Sequence, residues 1–439
     1  MNETDLLRQC VLYFKNNRGF KRVFEKMREK YKSLGAIGGT IVLTGLSVQE
    51  QEALTGFLKK DYTKQKSASI KMENFKKALD KTRFAGLHLE DILKEYFHEE
   101  LVSNKEEINI YKQRREDFFK KIIDAFEGTL AGEWVRYVLQ TKENAYITFI
   151  KRYDMDKNRL KEDIHIICMA LNNLPCLADQ KKRLAMFASE ISKNPHIFDE
   201  GTECGQLLQY AIMYRFNAAK PQNAEEKAEL YYKAGILVDE ISNYTVCCGL
   251  KGYIGGKTHP GWEGYYALGE PMQVSLANLS KIDTVASPMG KVFVFENPAV
   301  FSTVLDQLSC IYPPLICTYG QVKLASLVLL DMLAKQGTTI YYSGDFDPEG
   351  LLIADKLKKR YGGQLILWRY HQKDYEAVRS NKMISACSIK KLENIQDEQL
   401  RQLGQYLKGQ GKAGYQEILI DMLIEDIYMI LENRNEKFL

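Results

Sequence analysis

The spacing of apolar residues changes along the chain, and the change divides it. LLRQCVLYFKNNRGFKRVFEKMREKYKSLG carries apolar residues at helical spacing and stops at Gly35, and GGTIVLTGL after it predicts a short strand. SVQEQEALTGFL places Ser47 three residues before Glu50, the arrangement in which each side chain caps the other's backbone amide, so a helix is expected to start there. SIKMENFKKALDKTRFAGLHLEDILKEYF repeats the strand-then-helix order, with apolar positions at Ile70, Phe75, Leu79, Leu89 and Leu93. A small α+β unit is therefore expected over residues 1–103. From Asn104 to Gln140 the pattern is charged and helical, with Phe118, Ile122, Ile123 and Phe126 on one stripe. A further helical stretch from about Lys157 is interrupted at Pro175 and Pro195, since proline lacks the amide a helix interior needs. PQNAEEKAELYYKAGILVDE predicts a helix capped near Asn223, and ISNYTVCCGLKGYIGG a strand with a glycine-rich turn.

Past Ser287-Pro288-Met289-Gly290 the period shortens. KVFVFE is a continuous apolar strand from Val292 to Phe295 ending in Glu296, and NPAVFSTVLDQL predicts the helix after it. PLICTYG with VKLASLVLLDMLAKQG, TTIYYSGDFD with GLLIADKLKKRYG, and QLILWRY continue the alternation. Short buried strands alternating with helices predict a parallel sheet flanked by helices over residues 287–439. The last helix, YQEILIDMLIEDIYMILENRNE, is expected to pack through Ile418, Met422 and Ile427.

Composition narrows the class without naming it. Hydrophobic residues make up 45% and charged ones 27% of 439 residues, the balance of a folded soluble chain long enough for two or three domains. A net charge of +4 is too mild to announce nucleic-acid binding, so any such surface must be a local patch. Nine cysteines show neither paired metal spacing nor disulfide density, which predicts reduced, mostly buried thiols. The opening MNETDLLRQC lacks the apolar segment of a signal peptide, and no apolar stretch nears the roughly twenty residues of a membrane helix. A cytoplasmic protein without membrane contact is expected. KGYIGGKTHPGWEG lacks the lysine-hydroxyl ending of a phosphate-binding loop, so no nucleotide hydrolysis by this chain is expected.

The chemistry concentrates in three acids. Ligands of a parallel sheet bind beyond the carboxyl ends of its strands, where Glu296 and Asp345 are predicted to lie. Asp345 and Asp347 are two residues apart, so on extended backbone both side chains lean to one side before Pro348 and Gly350 turn the chain. Carboxylates are hard ligands suited to Mg2+ or Mn2+, and three together repel one another unless a cation joins them. Glu349 is a further candidate ligand for a second ion. An isolated Asp-x-Asp is more often a polar turn or helix cap; here a strand ending in Glu precedes it by about fifty residues with a further strand-helix pair between.

FENPAVF and YSGDFDPEGLLIADKL resemble the two signature motifs of the Toprim domain, in the style of topoisomerase VI A subunits. Beyond those motifs the chain resembles the JetD subunits of bacterial Wadjet plasmid-defence systems. The residues that carry this are GGTIVLTGLSVQEQEALTGFL, LPCLA, PHIFDEG, AGILVDEISNYTVCCGL, GDFDPEG with LWRYHQKDY, and GYQEILIDMLIEDI. The resemblance implies a metal-dependent nuclease that cuts circular, double-stranded plasmid DNA beside an SMC-type ATPase complex with kleisin-like and accessory subunits. It implies a catalytic and metal-binding trio at Glu296, Asp345 and Asp347, and a homodimer. It also implies a helical arm (104–203), a winged-helix-like module (204–286) and a Toprim domain with C-terminal helices (287–439).

Two alternatives remain beside it. AELYYKAG resembles the context of the topoisomerase VI nucleophile and offers Tyr231 or Tyr232 for a covalent transesterase, although Ala228 stands where that family has arginine. A Toprim-derived scaffold that binds DNA or partners without cutting is the other. Lys323, Arg369 and His371 also fall near strand ends, where they would reach a phosphate; a structural role is the more ordinary one. FKNNRGFKRVFEKMREKYK and YKQRREDFFKK interleave cations with aromatics, but acids interrupt both.

Overall fold

A computed structural model describes residues 3–432. The chain divides into two compact units, Met1–Glu127 and Gly128–Leu439. In the first, α1 (Glu3–Asn16) and α2 (Lys21–Leu34) lead to β1 (Thr40–Thr44), α3 (Val48–Leu58), β2 (Ser67–Lys71), α4 (Met72–Leu79), α5 (Leu89–Phe97) and α6 (Asn104–Ala125). Gly35 ends α2 at φ 75°, and Ser47 and Glu50 cap α3 reciprocally as the sequence predicts. β1 and β2 pair antiparallel, Ile41 opposite Ile70, so that alternate residues face a core built from aromatic rings. Phe14 packs against Phe20 with ring centroids 5.0 Å apart, and Phe57 against Phe75 at 4.6 Å. Ile70, Phe75, Leu79, Leu89 and Leu93 are all buried there.

The predicted helix over 104–140 is two helices. α6 ends at Phe126, whose φ and ψ leave the helical region, and α7 (Leu130–Thr141) restarts after Gly128 at φ 72°. Its buried stripe is also turned: Phe119 and Ile122 are buried where Phe118 is only half-buried.

The second unit continues with α8 (Tyr146–Asn172), α9 (Leu184–Ser192), α10 (Glu203–Phe216) and α11 (Ala224–Lys233), the last capped by Asn223. Its sheet uses β3 (Tyr244–Cys248), β4 (Met272–Ser275), β5 (Lys291–Phe295), β6 (Leu315–Cys317), β7 (Thr339–Ser343) and β8 (Leu365–Leu367) in the order β8-β7-β5-β6-β3-β4. Between the later strands run α12 (Pro298–Gln307), α13 (Leu324–Lys335) and α14 (Pro348–Tyr361). The four strands from β5 to β8 pair parallel, and Val292 to Phe295 are wholly buried, as a sheet covered on both faces requires.

The sheet is not parallel throughout, nor does it begin at the Ser287 turn. β3 pairs antiparallel with β6 and with β4, so two strands from before residue 287 extend one edge. Cys247, on β3, sits opposite Ile316 and is fully buried. All nine cysteines are free, and only Cys310 and Cys387 are exposed.

After α14 come β9 (Arg379–Met383), α15 (Glu398–Gln410), β10 (Lys412–Gly414) and α16 (Ile420–Glu432), with β9 and β10 paired antiparallel. The buried face of the final region is Leu419, Leu423, Ile424 and Ile427; Ile418 is 56% exposed. Residues 416–419 form a 3-10 turn, whose tighter period puts Leu419 inside and swings Ile418 out. The end of that predicted helix, residues 433–436, lies outside the described residues. No helix among the described residues is long and apolar enough to cross a membrane.

Candidate metal centre at the strand ends

Parallel pairing carries the ends of β5 and β7 to one edge of the sheet. Phe295 pairs with Ser343, and the ladder runs one step further as Glu296 N donates to Ser343 O at 3.3 Å. Glu296 therefore leaves the sheet beside Gly344, and its Oε2 accepts from Asp345 N at 3.3 Å. A Cβ at Gly344 would lie 2.5 Å from that oxygen, so any side chain there displaces the Glu296 carboxylate.

The Asp345-Phe346-Asp347 segment is extended because Phe346 forms a two-bond antiparallel bridge with Gly414, each amide donating to the other's carbonyl at 3.0 Å. Phe346 is buried, so alternation turns both flanking aspartates to the opposite side. Asp345 Oδ1 accepts from Gln416 N at 2.9 Å, and Asp347 Oδ1 caps α14 by accepting from Gly350 N at 2.8 Å.

The electrostatics register their proximity. Burial, and after it the charge of Asp345, pushes the Glu296 carboxyl up to about 7, with Asp347 and Glu417 adding to the effect. Burial also pushes Asp345 up to about 6, against the Gln416 amide that favours its charged form. Glu417 is a fourth acid that sequence pattern missed. It lies on the 3-10 turn at 416–419 and accepts from Asn297 Nδ2 at 2.6 Å. No local pattern marks it; only the GYQEILID likeness passes over it. The Tyr342 and Ser343 hydroxyls and Gln416 Nε2 are buried without a hydrogen-bond partner.

Among the described residues, no three His, Cys, Asp or Glu side chains form a preassembled metal cage. Each acid of the trio is turned to a backbone amide instead. The donor set nevertheless fits a hard divalent cation: carboxylate oxygens from separate elements, raised carboxyls that an added positive charge would bring back down, and nearby unpartnered polar atoms able to receive the waters that magnesium retains.

Glu349 stands apart, spent on Lys391 Nζ at 2.6 Å and on the Ser388 hydroxyl at 3.3 Å. Burial raises its carboxyl, but the Lys391 hydrogen bond and charge, a backbone amide and the Ser388 hydroxyl together outweigh that and hold it low. Arg369 grips Asp426 with two hydrogen bonds of 2.7 and 2.6 Å, His371 caps a short helix at 372–378, and Lys323 lies over the Tyr244 ring. Of the three, Arg369 is anchored within the fold by its ion pair. The exposed cation whose charge reaches Asp345 is Lys382, on β9. Tyr231 is buried with its hydroxyl 3.5 Å from Gly205 O, and burial raises it; Tyr232 is half-buried and pushed up to about 12.

Residues 37–252 match a family described as Protein of unknown function N-terminus (DUF3323), and residues 272–427 one described as Protein of unknown function C-terminus (DUF2399). No curated protein matches the chain.

Proposed function

We propose that this chain, whose DUF3323 and DUF2399 domains together have the architecture of JetD-type proteins, is a metal-dependent DNA endonuclease of the Toprim kind. One observation carries the proposal: Glu296 and the Asp345-Asp347 pair leave adjacent parallel strands at one edge, close enough that both aspartates raise the Glu296 carboxyl and Asp347 raises that of Asp345. Such a cluster is unfavourable unless a cation joins it. Glu296, Asp345 and Asp347 would hold Mg2+ or Mn2+. When bound, the ion neutralises a DNA phosphate and stabilises charge as it develops.

The chain's own residues set the rest. The bridge from Phe346 to Gly414 fixes the aspartates' spacing, and capping by Asp347 fixes the start of α14 beneath them. With an ion bound, Glu296 would be held ionised at the end of β5, a carboxylate able to accept a proton from the reacting water. In the reaction a water oxygen bonds to phosphorus and the P–O3′ bond breaks; one proton of the water passes to a carboxylate, and the leaving O3′ takes up a proton from that carboxylate or from solvent. The products are a 5′-phosphate and a 3′-hydroxyl. Lys382 is the cation best placed to steady phosphate charge. ATP is spent by an SMC-type partner, and a homodimer supplies one site per strand of circular plasmid DNA.

Full-length protein with Mg2+ is incubated with supercoiled plasmid, alone and with its SMC partners, as wild type and as Asp345→Ala. Wild type linearises plasmid and the variant leaves it supercoiled; equal cutting by both defeats the proposal. The transesterase alternative is disfavoured by the burial of the Tyr231 hydroxyl, since an attacking oxygen must reach phosphorus. It predicts DNA covalently held at Tyr231 or Tyr232 on denaturing gels, where hydrolysis leaves free ends. A non-cutting scaffold predicts Mg2+ binding without cleavage in every arm.

A further inference from the structure

The N-terminal unit carries a concave surface of about 650 Å³ with a cationic rim. Lys59 and Lys60 sit at the end of α3, Lys71 at the end of β2, and Lys81 just past α4. Residues 59–83 hold nine Lys and Arg against three acids, a net +6, although the whole chain sums to +4. The positive charge of this protein is thus concentrated here, and the remainder is slightly acidic. Within the stretch Lys76 pairs with Asp80 and Lys77 with Glu73. Lys59, Lys60, Lys71 and Lys81 are exposed and enter no ion pair among the described residues. Like charges held close without counterions raise the free energy of the surface, and a polyanion relieves that by releasing its own counterions.

We propose that this surface binds the phosphate backbone of duplex DNA without reading its sequence. The choice of DNA as the polyanion rests on the nuclease reading above; the unpaired cations do not. The walls fit a backbone rather than bases. Exposed Ser69 and Asn74 stand between the lysines as neutral phosphate donors. Of the aromatic rings lining the surface, Phe57 and Tyr62 are buried and Tyr13 alone is exposed, too few to stack the successive bases of a single strand. A membrane would call for several exposed apolar side chains beside the cations, and the lining exposes one large ring, Tyr13, which carries a polar hydroxyl.

The test is fluorescence anisotropy of a labelled 40-base-pair duplex with the full-length protein in EDTA, where nothing is cut, across 50 to 200 mM salt. The variant Lys59→Gln/Lys60→Gln/Lys71→Gln/Lys81→Gln changes only exposed side chains, and an unchanged melting temperature verifies its fold. Losing four phosphate contacts lowers the slope of log K against log salt by about 3 to 4, so wild type loses about 100-fold more affinity than the variant over that range. A control with equal charge change on α6, Lys105→Gln/Lys112→Gln/Lys120→Gln/Lys121→Gln, is expected to keep the wild-type slope. An unchanged slope in the groove variant, or an equal drop in the control, overturns the proposal. So does binding to vesicles with phosphatidylserine that depends on the four lysines while DNA binding does not. A wild type that cuts plasmid normally with an unaltered slope in the variant defeats this inference alone. One that binds DNA through the lysines but never cuts defeats the nuclease reading alone.

Discussion

At the scale of single residues, Glu296 and Asp345 are carboxyls whose ionisation the fold opposes. A raised carboxyl binds its proton more tightly folded than unfolded. The resulting stability is fully present below the unfolded pKa, near 4.5 for Glu296 and 3.8 for Asp345, and is lost as pH rises through about 7 and 6. Without divalent metal, the melting temperature is therefore expected to fall between pH 4 and 7.5 by calorimetry. Millimolar Mg2+ should restore more of it at pH 8 than at pH 5, since only ionised carboxylates bind the ion. A Mg2+ effect independent of pH would remove the cation site. Asp345→Asn keeps an acceptor for the Gln416 amide but removes charge from a crowded, half-buried position. We expect it to melt higher than wild type in EDTA while losing at least about 100-fold in plasmid cutting, the size of effect seen when a pre-placed charged group is deleted from an active site. A variant less stable than wild type in EDTA would show that repulsion is not what this site carries.

At the scale of elements, two close contacts carry the packing around the sheet's carboxyl edge, and the first bears on Asp345. A Cβ on Gly350 would lie 2.4 Å from Asp345 O, a backbone atom that moves only if the whole turn moves. Gly350→Ala is expected to cost about 1 to 3 kcal/mol in urea unfolding and to abolish Mg2+-dependent stabilisation, because overpacking here displaces Asp345 itself. The second contact joins the end of β8 to α16: Asp426 accepts from Trp368 Nε1 at 2.7 Å and from two nitrogens of Arg369, which stands at φ 62°. Asp426→Ala leaves that guanidinium largely unpaired and should destabilise by about 2 kcal/mol, with a smaller loss in Asp426→Asn. The elements from β5 to β8 were readable in advance because each strand is a buried apolar run and each helix follows within a few residues. The antiparallel edge made by β3 and β4 was not, since Cys247 gains its place only by pairing with Ile316, far away in sequence. Glu417 was hidden for a related reason: its 3-10 turn has no amphipathic period, and only the fold brings its charge to Glu296 and Asp345.

At the scale of the whole molecule, the aromatic core of the N-terminal unit runs from Cys10 to Leu101 and closes on itself. A fragment of residues 1–103 is expected to unfold in one cooperative thermal transition with native near-ultraviolet dichroism; a broad melt without tertiary signal would show that this core needs the rest of the chain. The strand-end placement of the three acids was legible in the sequence, but their restraint was not. That restraint comes from chain about seventy residues downstream, where Gly414 laces Phe346 and the Gln416 amide tethers Asp345. A protein stopped just short of Lys412 would retain Glu296, Asp345 and Asp347 and yet forfeit the jig that sets their separation. Reading such a truncated gene by its motifs alone would credit it with a site whose brace is gone.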